Sequence, residues 1–422
     1  MAPLKVSGTI RVPGDKSISH RALILASLAE GESRIRGILE SEDVRSTAEV
    51  LRALGAAVPP LSNEIRMKGS RLRGLRQPRR TLDCGNSGTT ARLVAGVVAG
   101  HPVSARFEGD ESLSRRPMKR IAEPLTYMGA QFDFEHGDGL PMTVRGVDLR
   151  SIDWDTQASS AQVKSAILVA GLVSGVEVRV TEKSRSRDHT ERMLRAMGAD
   201  VENDGNQVCL RPTQRLDPIE LEIPADPSSA AFFIAIGALA SDGEVTLTDV
   251  CLNPTRTGFL EAMIRMGAQV EKAQSLIRAG EEVGTLRVRP GPLRSIRITE
   301  TEIPALIDEL PLLACVAAAA GIELEITGAA ELRVKESDRI STVVQNLRAV
   351  GADVEELPDG LSVHVSRRPI SGIVEPRGDH RIAMAFGVLS AATGNRISVM
   401  SRECVAVSYP GFWEDLRRVV VA

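Results

Sequence analysis

Two cations, Lys16 and Arg21, stand at the head of a long apolar run, in Gly14-Asp15-Lys16-Ser17-Ile18-Ser19-His20-Arg21, with the Ser17 hydroxyl beside them. A solvated surface lysine is commonplace. Here the apolar run argues that the cations enter the protein, where an unpaired charge is costly and an anionic ligand is a natural partner. The loop is no P-loop, because the G-x-x-x-x-G-K-[ST] spacing is not met. In Gly85-Asn86-Ser87-Gly88-Thr89-Thr90, glycines such as Gly88 let the backbone approach a phosphate or carboxylate closely. Segment 108–119 adds Arg115, Arg116 and Lys119, with Pro117 fixing the backbone after Arg116. Ser159-Ser160-Ala161-Gln162 offers hydroxyl and amide groups suited to a polyol, although capping alone explains one of the serines. Arg187 precedes an amphipathic segment, where an i,i+4 ion pair accounts for it equally well.

Three later loops mix both signs of charge. Asp308 in Ile307-Asp308-Glu309-Leu310 is either an acidic helix cap or, facing cations, a general base. In Arg333-Val334-Lys335-Glu336-Ser337-Asp338-Arg339, the i,i+4 spacing predicts Lys335 and Arg339 on one helix face with Glu336 adjacent. Gly378-Asp379-His380-Arg381 opens another apolar run and contributes Arg381. Lys16, Arg21, Arg116, Arg187, Lys335, Arg339 and Arg381 are cations enough for two multiply charged anions. A phosphorylated substrate with a second phosphate or carboxylate is implied. Without Mg²⁺ ligands or a Walker motif, phosphoryl transfer from ATP is disfavoured.

These loops recur because the chain repeats. Six segments run polar loop, Ala/Leu-rich stretch, glycine, and their closing glycines (Gly31, Gly100, Gly175, Gly243, Gly321, Gly394) are 69, 75, 68, 78 and 73 residues apart. A second signature (LRALGAAV, LTYMGAQF, LRAMGADV, IRMGAQV, LRAVGADV) follows in five of them, while the sixth ends in FWEDLRRVV. Each unit reads as strand, buried helix, strand, amphipathic helix and further strands, a βαβαββ plan. The first helices are apolar nearly all round, so they lie inside with sheets outside. Helix N-termini attract anions, and six in register make a ligand site a better account than plain capping. Pro-containing joints near Pro13 and Pro224 divide the chain into two domains of three units, 14–224 and 1–13 plus 225–422. The N-terminal strand is expected to complete the second domain, and the active site to lie in the cleft between the two.

The 422-residue chain has 52 Lys+Arg against 55 Asp+Glu, a net charge of −3, and 3% aromatic residues. That balance argues against nucleic acid or an anionic membrane as the main partner, and against a base-stacking platform. Five scattered cysteines and six histidines without H-x-x-x-H spacing give no disulfide framework and no metal site. With no apolar leader pattern, a cytoplasmic protein is expected.

GDKSISHR, GNSGTT, SLSRRPM, SSAQVKSA, SRDHTERM, IDELP, RVKESDR and GDHRIAMAF, in this order, resemble the 5-enolpyruvylshikimate-3-phosphate synthase family along the whole chain. The resemblance implies a two-domain inside-out α/β barrel acting, without cofactor and as a monomer, on shikimate 3-phosphate and phosphoenolpyruvate. The enolpyruvyl group passes to the 5-hydroxyl by addition–elimination and phosphate is released. It further implies that Lys16, Ser17, Arg21, Ser160, Ala161, Gln162, Arg187, Asp308 and Lys335 hold shikimate 3-phosphate. Lys16, Gly88, Arg116, Gln162, Arg339 and Arg381 would hold phosphoenolpyruvate. Asp308 would be the base, and either Glu336 or Lys16 the proton donor. Val407 stands where one branch of the family has a lysine and Glu331 where it has an asparagine, so the chain is more similar to the second bacterial branch. Gly88 leaves room for the inhibitor glyphosate. The related UDP-N-acetylglucosamine enolpyruvyl transferase is the alternative, disfavoured because the 108–119 loop has no cysteine. An RNA-end-recognising relative of the same fold is disfavoured by charge and composition.

Overall fold

A computed structural model describes residues 4–156, 159–366 and 368–421. Packing divides the chain into two units: Gly14–Ile223 with Ile277–Glu281, and Met1–Pro13 with Pro224–Leu276 and Glu282–Ala422.

The first unit holds helices α1 (Lys16–Leu28), α2 (Glu42–Ala53), α3 (Gly88–Ala99), α4 (Lys119–Met128), α5 (Ala161–Ser174) and α6 (His189–Ala196). The second holds α7 (Pro227–Leu239), α8 (Gly258–Met266), α9 (Leu310–Ala320), α10 (Arg339–Ala349), α11 (His380–Ala392) and α12 (Phe412–Val419). Odd-numbered helices are the apolar runs and are buried on nearly every face, whereas even-numbered ones bury a single stripe. Small residues let the buried helices approach closely. A Cβ on Gly96 of α3 would stand 2.4 Å from the Ala166 carbonyl oxygen of α5, so this crossing admits only glycine. Aspartate or serine caps four of the apolar helices: Asp15, Ser87, Asp226 and Asp379 accept from backbone N–H groups of the first turn.

Four repeats build one sheet order. Leu82–Asp83 pairs in parallel with Ser104–Glu108, which pairs antiparallel with Met142–Arg145, itself antiparallel to Gln131–Phe134. The repeats beginning at Ile152–Asp155, Lys5–Ile10 and Ile296–Ile298 follow the same order. Lys5–Ile10 lies parallel to Asp242–Cys251, and Val420–Val421 adds antiparallel to its other edge.

The βαβαββ plan is not met six times. In the first repeat Glu32–Arg36 has one antiparallel neighbour among the described residues, Glu64–Lys68, because Pro59-Pro60 removes two ladder donors from the stretch that would be the further strand. Its opening strand is Glu220–Glu222, which returns from the end of the unit to pair in parallel with Arg34–Arg36. The sixth repeat keeps two strands, Gly372–Val374 and Ile397–Val399. The piece Ile277–Glu281 packs with the first unit, where Arg192 Nη1 donates to the Gly280 carbonyl at 2.6 Å and Arg278 lies 3.6 Å from Glu222. Among the described residues one apolar helical stretch, Ile303–Ala320, has membrane-spanning length. A 3₁₀ turn carrying Asp308 and Glu309 interrupts it and most of it is buried in the second core, as befits a core helix.

Candidate active site

In the first unit the expected residues gather at the N-terminal ends of α1, α3 and α5. Lys16 and Ser17 are the first residues of α1, and Arg21 lies in its second turn rather than before the helix. Lys16 Nζ is 2.9 Å from Asp43 Oδ2, at the start of α2. Arg21, 3% exposed, donates from Nε to Thr190 Oγ1 at 2.7 Å, from Nη2 to Ser165 Oγ at 2.9 Å and from Nη1 to the Ser17 carbonyl at 3.0 Å. It therefore ties α1 to α5 and α6. Behind it, His20 Nδ1, Thr47 Oγ1, Thr90 Oγ1 and Ser87 Oγ form a chain of hydrogen bonds 2.6–2.7 Å long across α1, α2 and α3. Burial, with Lys16 and Arg21 close by, pushes the His20 pKa well below its usual value, so the imidazole is neutral.

Around Gly88 two guanidinium groups converge. A Cβ at Gly88 would lie 2.8 Å from Arg92 Nη1 and 3.6 Å from Arg116 Nη1. Arg116 Nη2 donates to Asn86 Oδ1 at 2.6 Å and to Ser112 Oγ at 3.1 Å. Gln162 accepts from Arg92 Nη1 at 2.7 Å and donates to Thr89 Oγ1 at 3.0 Å, which fixes its amide. Ser160 and Ala161 open α5, and the Ser160 hydroxyl makes no capping bond. Arg187 is half-buried in the loop before α6, and its neighbour Asp188 forms an i,i+4 ion pair with Arg192 Nε at 2.8 Å.

In the second unit the expected residues gather around Arg339. This guanidinium, 2% exposed, meets Asp379 Oδ2 through Nε at 2.8 Å, Glu336 Oε2 through Nη2 at 2.6 Å and Asp308 Oδ1 through Nη1 at 3.2 Å. Burial works against its charge, but the three carboxylates outweigh it and raise the pKa further. Asp308 sits in the 3₁₀ turn Ile307–Glu309 ahead of α9, whose N-cap position is Glu309. Asp379 also caps α11 through the Arg381 N–H at 2.9 Å.

Lys335 and Arg339 do not share a helix face. Asp338 accepts from Ser341 N at 3.1 Å and starts α10 at Arg339, leaving Lys335 in extended backbone before it. Both cations nevertheless face Asp308 and Glu336. Desolvation of the half-buried Lys335 lowers its pKa despite Asp308, Glu331 and Glu336 nearby, with Arg339 adding to the lowering. The Arg381 guanidinium is 5% exposed and has no hydrogen bond or ion pair among the described residues. Lys335 likewise lacks a hydrogen bond. An ammonium and a guanidinium with no acceptor among the described residues favour an arriving anion.

The sequence reading missed Asp43, Arg92 and Asp379 as partners. Arg92 had a signal: a lone arginine inside the apolar run of α3 must find an acceptor within the protein.

The sequence matches the family described as EPSP synthase (3-phosphoshikimate 1-carboxyvinyltransferase) over residues 2–416. A 3-phosphoshikimate 1-carboxyvinyltransferase of Persephonella marina is 45% identical over 421 residues, covering 99% of this chain and 98% of that one. The EPSP synthase structure from Acinetobacter baumannii superposes with a TM-score of 0.86 at 38% identity, covering 100% of this chain and 97% of that one. The enolpyruvyl transferase NikO from Streptomyces tendae, at 19% identity and TM-score 0.74 over 99% of this chain and 98% of that one, shares the fold. With its motifs in order along the whole length and its charged loops gathered at the helix N-termini, the chain belongs to the EPSP synthase family.

Proposed function

We infer that the chain transfers the enolpyruvyl group of phosphoenolpyruvate to the 5-hydroxyl of shikimate 3-phosphate. Family membership supports the reaction, and one observation supports the roles: Asp308 and Glu336 are held on a single buried guanidinium, Arg339, with Lys335 alongside. A carboxylate held on a fixed cation is oriented before substrate arrives, as a proton-transfer group must be.

On this reading Asp308 takes the proton of the 5-hydroxyl as its oxygen attacks the phosphate-bearing carbon of phosphoenolpyruvate. Glu336 or Lys16 delivers a proton to the methylene carbon. The tetrahedral adduct then loses a proton from the new methyl group and expels phosphate, restoring the double bond. Lys16, Ser17, Arg21, Ser160, Ala161, Gln162, Arg187, Asp308 and Lys335 are assigned to shikimate 3-phosphate. Lys16, Gly88, Arg116, Gln162, Arg339 and Arg381 are assigned to phosphoenolpyruvate. Lys335 and Arg381 favour this assignment, because their side chains make no hydrogen bond among the described residues and an anion would supply the acceptors. The same reading expects a monomer in the cytoplasm, independent of membranes, and it rests there on the resemblance.

The test is phosphate release from phosphoenolpyruvate, run in parallel with shikimate 3-phosphate and with UDP-N-acetylglucosamine. Release with the first acceptor alone is expected. Release with the second alone overturns the acceptor assignment and leaves the donor site standing.

A further inference from the structure

One turn beyond Ser160-Ala161-Gln162, the apolar helix α5 carries a lysine inside the protein. Lys164 Nζ lies 2.7 Å from Glu182 Oε2 and 2.8 Å from Glu191 Oε1, and all three side chains are at most 1% exposed. Glu182 follows the strand Val178–Thr181 and opens the loop that bears Arg187, while Glu191 stands in the first turn of α6. The Glu182 carboxylate also accepts from the Ser186 backbone N–H at 3.2 Å and from the Ser186 hydroxyl, so the loop closes over its own first residue. Ser184 N–H donates to Ser159 Oγ at 2.8 Å, tying the same loop to the chain leading into α5.

The main chain of Lys164 acts separately from its side chain, its N–H donating to the Ser160 carbonyl at 3.1 Å and closing the first turn of α5. Next along each helix, Ser165 Oγ and Thr190 Oγ1 are 2.7 Å apart and both accept from Arg21. Lys164 and Glu191 thus clamp α5 to α6 beside the point where Arg21 is seated. Burial alone would lower the Lys164 pKa, but Glu191 and Glu182 more than offset it and raise it, so the ammonium persists through the neutral range. A buried ion triad is a poor source of stability compared with apolar packing, and what it fixes is geometry.

We propose that Lys164 is a positioning residue for the acceptor. By clasping Glu182 and Glu191 it holds the Arg187 loop in register with the Ser160-Ala161-Gln162 turn, and so sets affinity for the phosphorylated acceptor without touching it. The inference rests on the functional reading given above and adds to it a residue outside the binding surface.

Steady-state kinetics of Lys164→Met and Ser186→Ala, with thermal unfolding of each, tests it. Lys164→Met is expected to raise the KM for shikimate 3-phosphate at least tenfold, with kcat and the KM for phosphoenolpyruvate within about threefold. Ser186→Ala, which removes one strand of the clasp and leaves the ion triad, is expected to raise the acceptor KM about threefold in the same selective way. A merely structural role would lower melting temperature and active fraction without separating the two KM values. Folded variants with an unmoved acceptor KM, or with both KM values raised alike, overturn the proposal. If Lys164→Met does not fold, the selectivity of Ser186→Ala decides. Failure of the unaltered protein to turn over shikimate 3-phosphate would instead overturn the functional reading itself.

Discussion

Arg21 in the first unit and Arg339 in the second are both buried guanidinium groups near helix N-termini, yet they are held by different chemistry. Arg21 donates to two hydroxyls and a carbonyl. Arg339 is gripped by Asp308, Glu336 and Asp379, three anions, with Lys335 close to two of them. A cation on neutral acceptors projects a positive field suited to attracting a phosphate. A cation shared among carboxylates projects little field and instead orients groups that move protons. On the proposed reading, the hydroxyl-held cation serves recognition and the carboxylate-held one orients proton-transfer groups.

The sharpest break of that contrast is Asp308→Ala. It is expected to cut kcat about 10²- to 10⁴-fold, measured as phosphate release, while thermal unfolding stays close to that of the parent because Glu336 and Asp379 still hold Arg339. Near-normal turnover in a folded variant would remove Asp308 from its role. Next in size is a paired comparison of Arg339→Met and Arg21→Met. Removing Arg339 strands the Asp379 carboxylate, whose side chain is wholly buried, and should cost about 3–5 kcal/mol of stability. Removing Arg21 leaves Ser165 and Thr190 to bond one another across 2.7 Å, at a cost of about 1–2 kcal/mol. Urea unfolding of the two variants side by side reads the difference directly, and equal losses would erase the distinction between the two seats.

A pH experiment on the parent and a His20 variant probes the hydroxyl-lined region. The His20 pKa lies below 6.5 in the folded protein, whereas the unfolded chain titrates near that value. Above pH 6.5 both states are neutral at this residue and its contribution is whole. As pH falls below 6.5 the unfolded chain gains a proton that the folded one resists, so stability drops by up to about 1.4 kcal/mol per pH unit until the folded pKa is reached. His101, buried and also lowered, adds a similar slope. His20→Gln should therefore flatten only part of the loss in urea midpoint between pH 7.5 and pH 5. An unchanged slope would mean that His20 takes up its proton without resistance.

Much of this organisation is written in the chain as repetition. Apolar runs of similar length, each closed by a glycine, mark α1, α3, α5, α7, α9 and α11, because a helix that is apolar all round has nowhere to lie except inside. The opening strand of the first repeat is not legible: Glu220–Glu222 has three residues, too few for alternation to show, and its partner lies far away in sequence. The candidate site was legible as a set of loops but not as a set of pairings. Lys16–Asp43, Gln162–Arg92 and Arg339–Asp379 join residues 27 to 70 positions apart, and only tertiary packing selects them. The i,i+4 reading of Lys335 and Arg339 failed because it took helical spacing for a helix, while the Asp338 cap starts α10 only at Arg339 and leaves Lys335 in extended backbone before it. Lys164 did carry a signal, since a charge inside a run as apolar as SSAQVKSAILVAGLVSG must be met from within the protein.

The smallest expected effect on the fold, and the most local test of the first unit, is Gly88→Ala. Gly88 is the first residue of α3 and its backbone is not in the left-handed region, so alanine meets no conformational strain and gains helix propensity of roughly 1 kcal/mol. The new Cβ would come within 2.8 Å of Arg92 Nη1, the far end of a flexible side chain that can shift by a few tenths of an ångström. Stability should therefore change by less than about 1 kcal/mol. Arg92 is also the donor that fixes the Gln162 amide, and Arg116 Nη1 lies 3.6 Å from the same Cβ position, so the cost should fall on small-anion binding. The expected result is a raised KM for phosphoenolpyruvate at nearly unchanged melting temperature. The parent, with its glycine, is expected to be inhibited by millimolar glyphosate, and the variant less so. An unaffected parent rate at that concentration would show that the space beside Gly88 does not admit the inhibitor, and would leave the Arg92 displacement as the whole effect of the substitution.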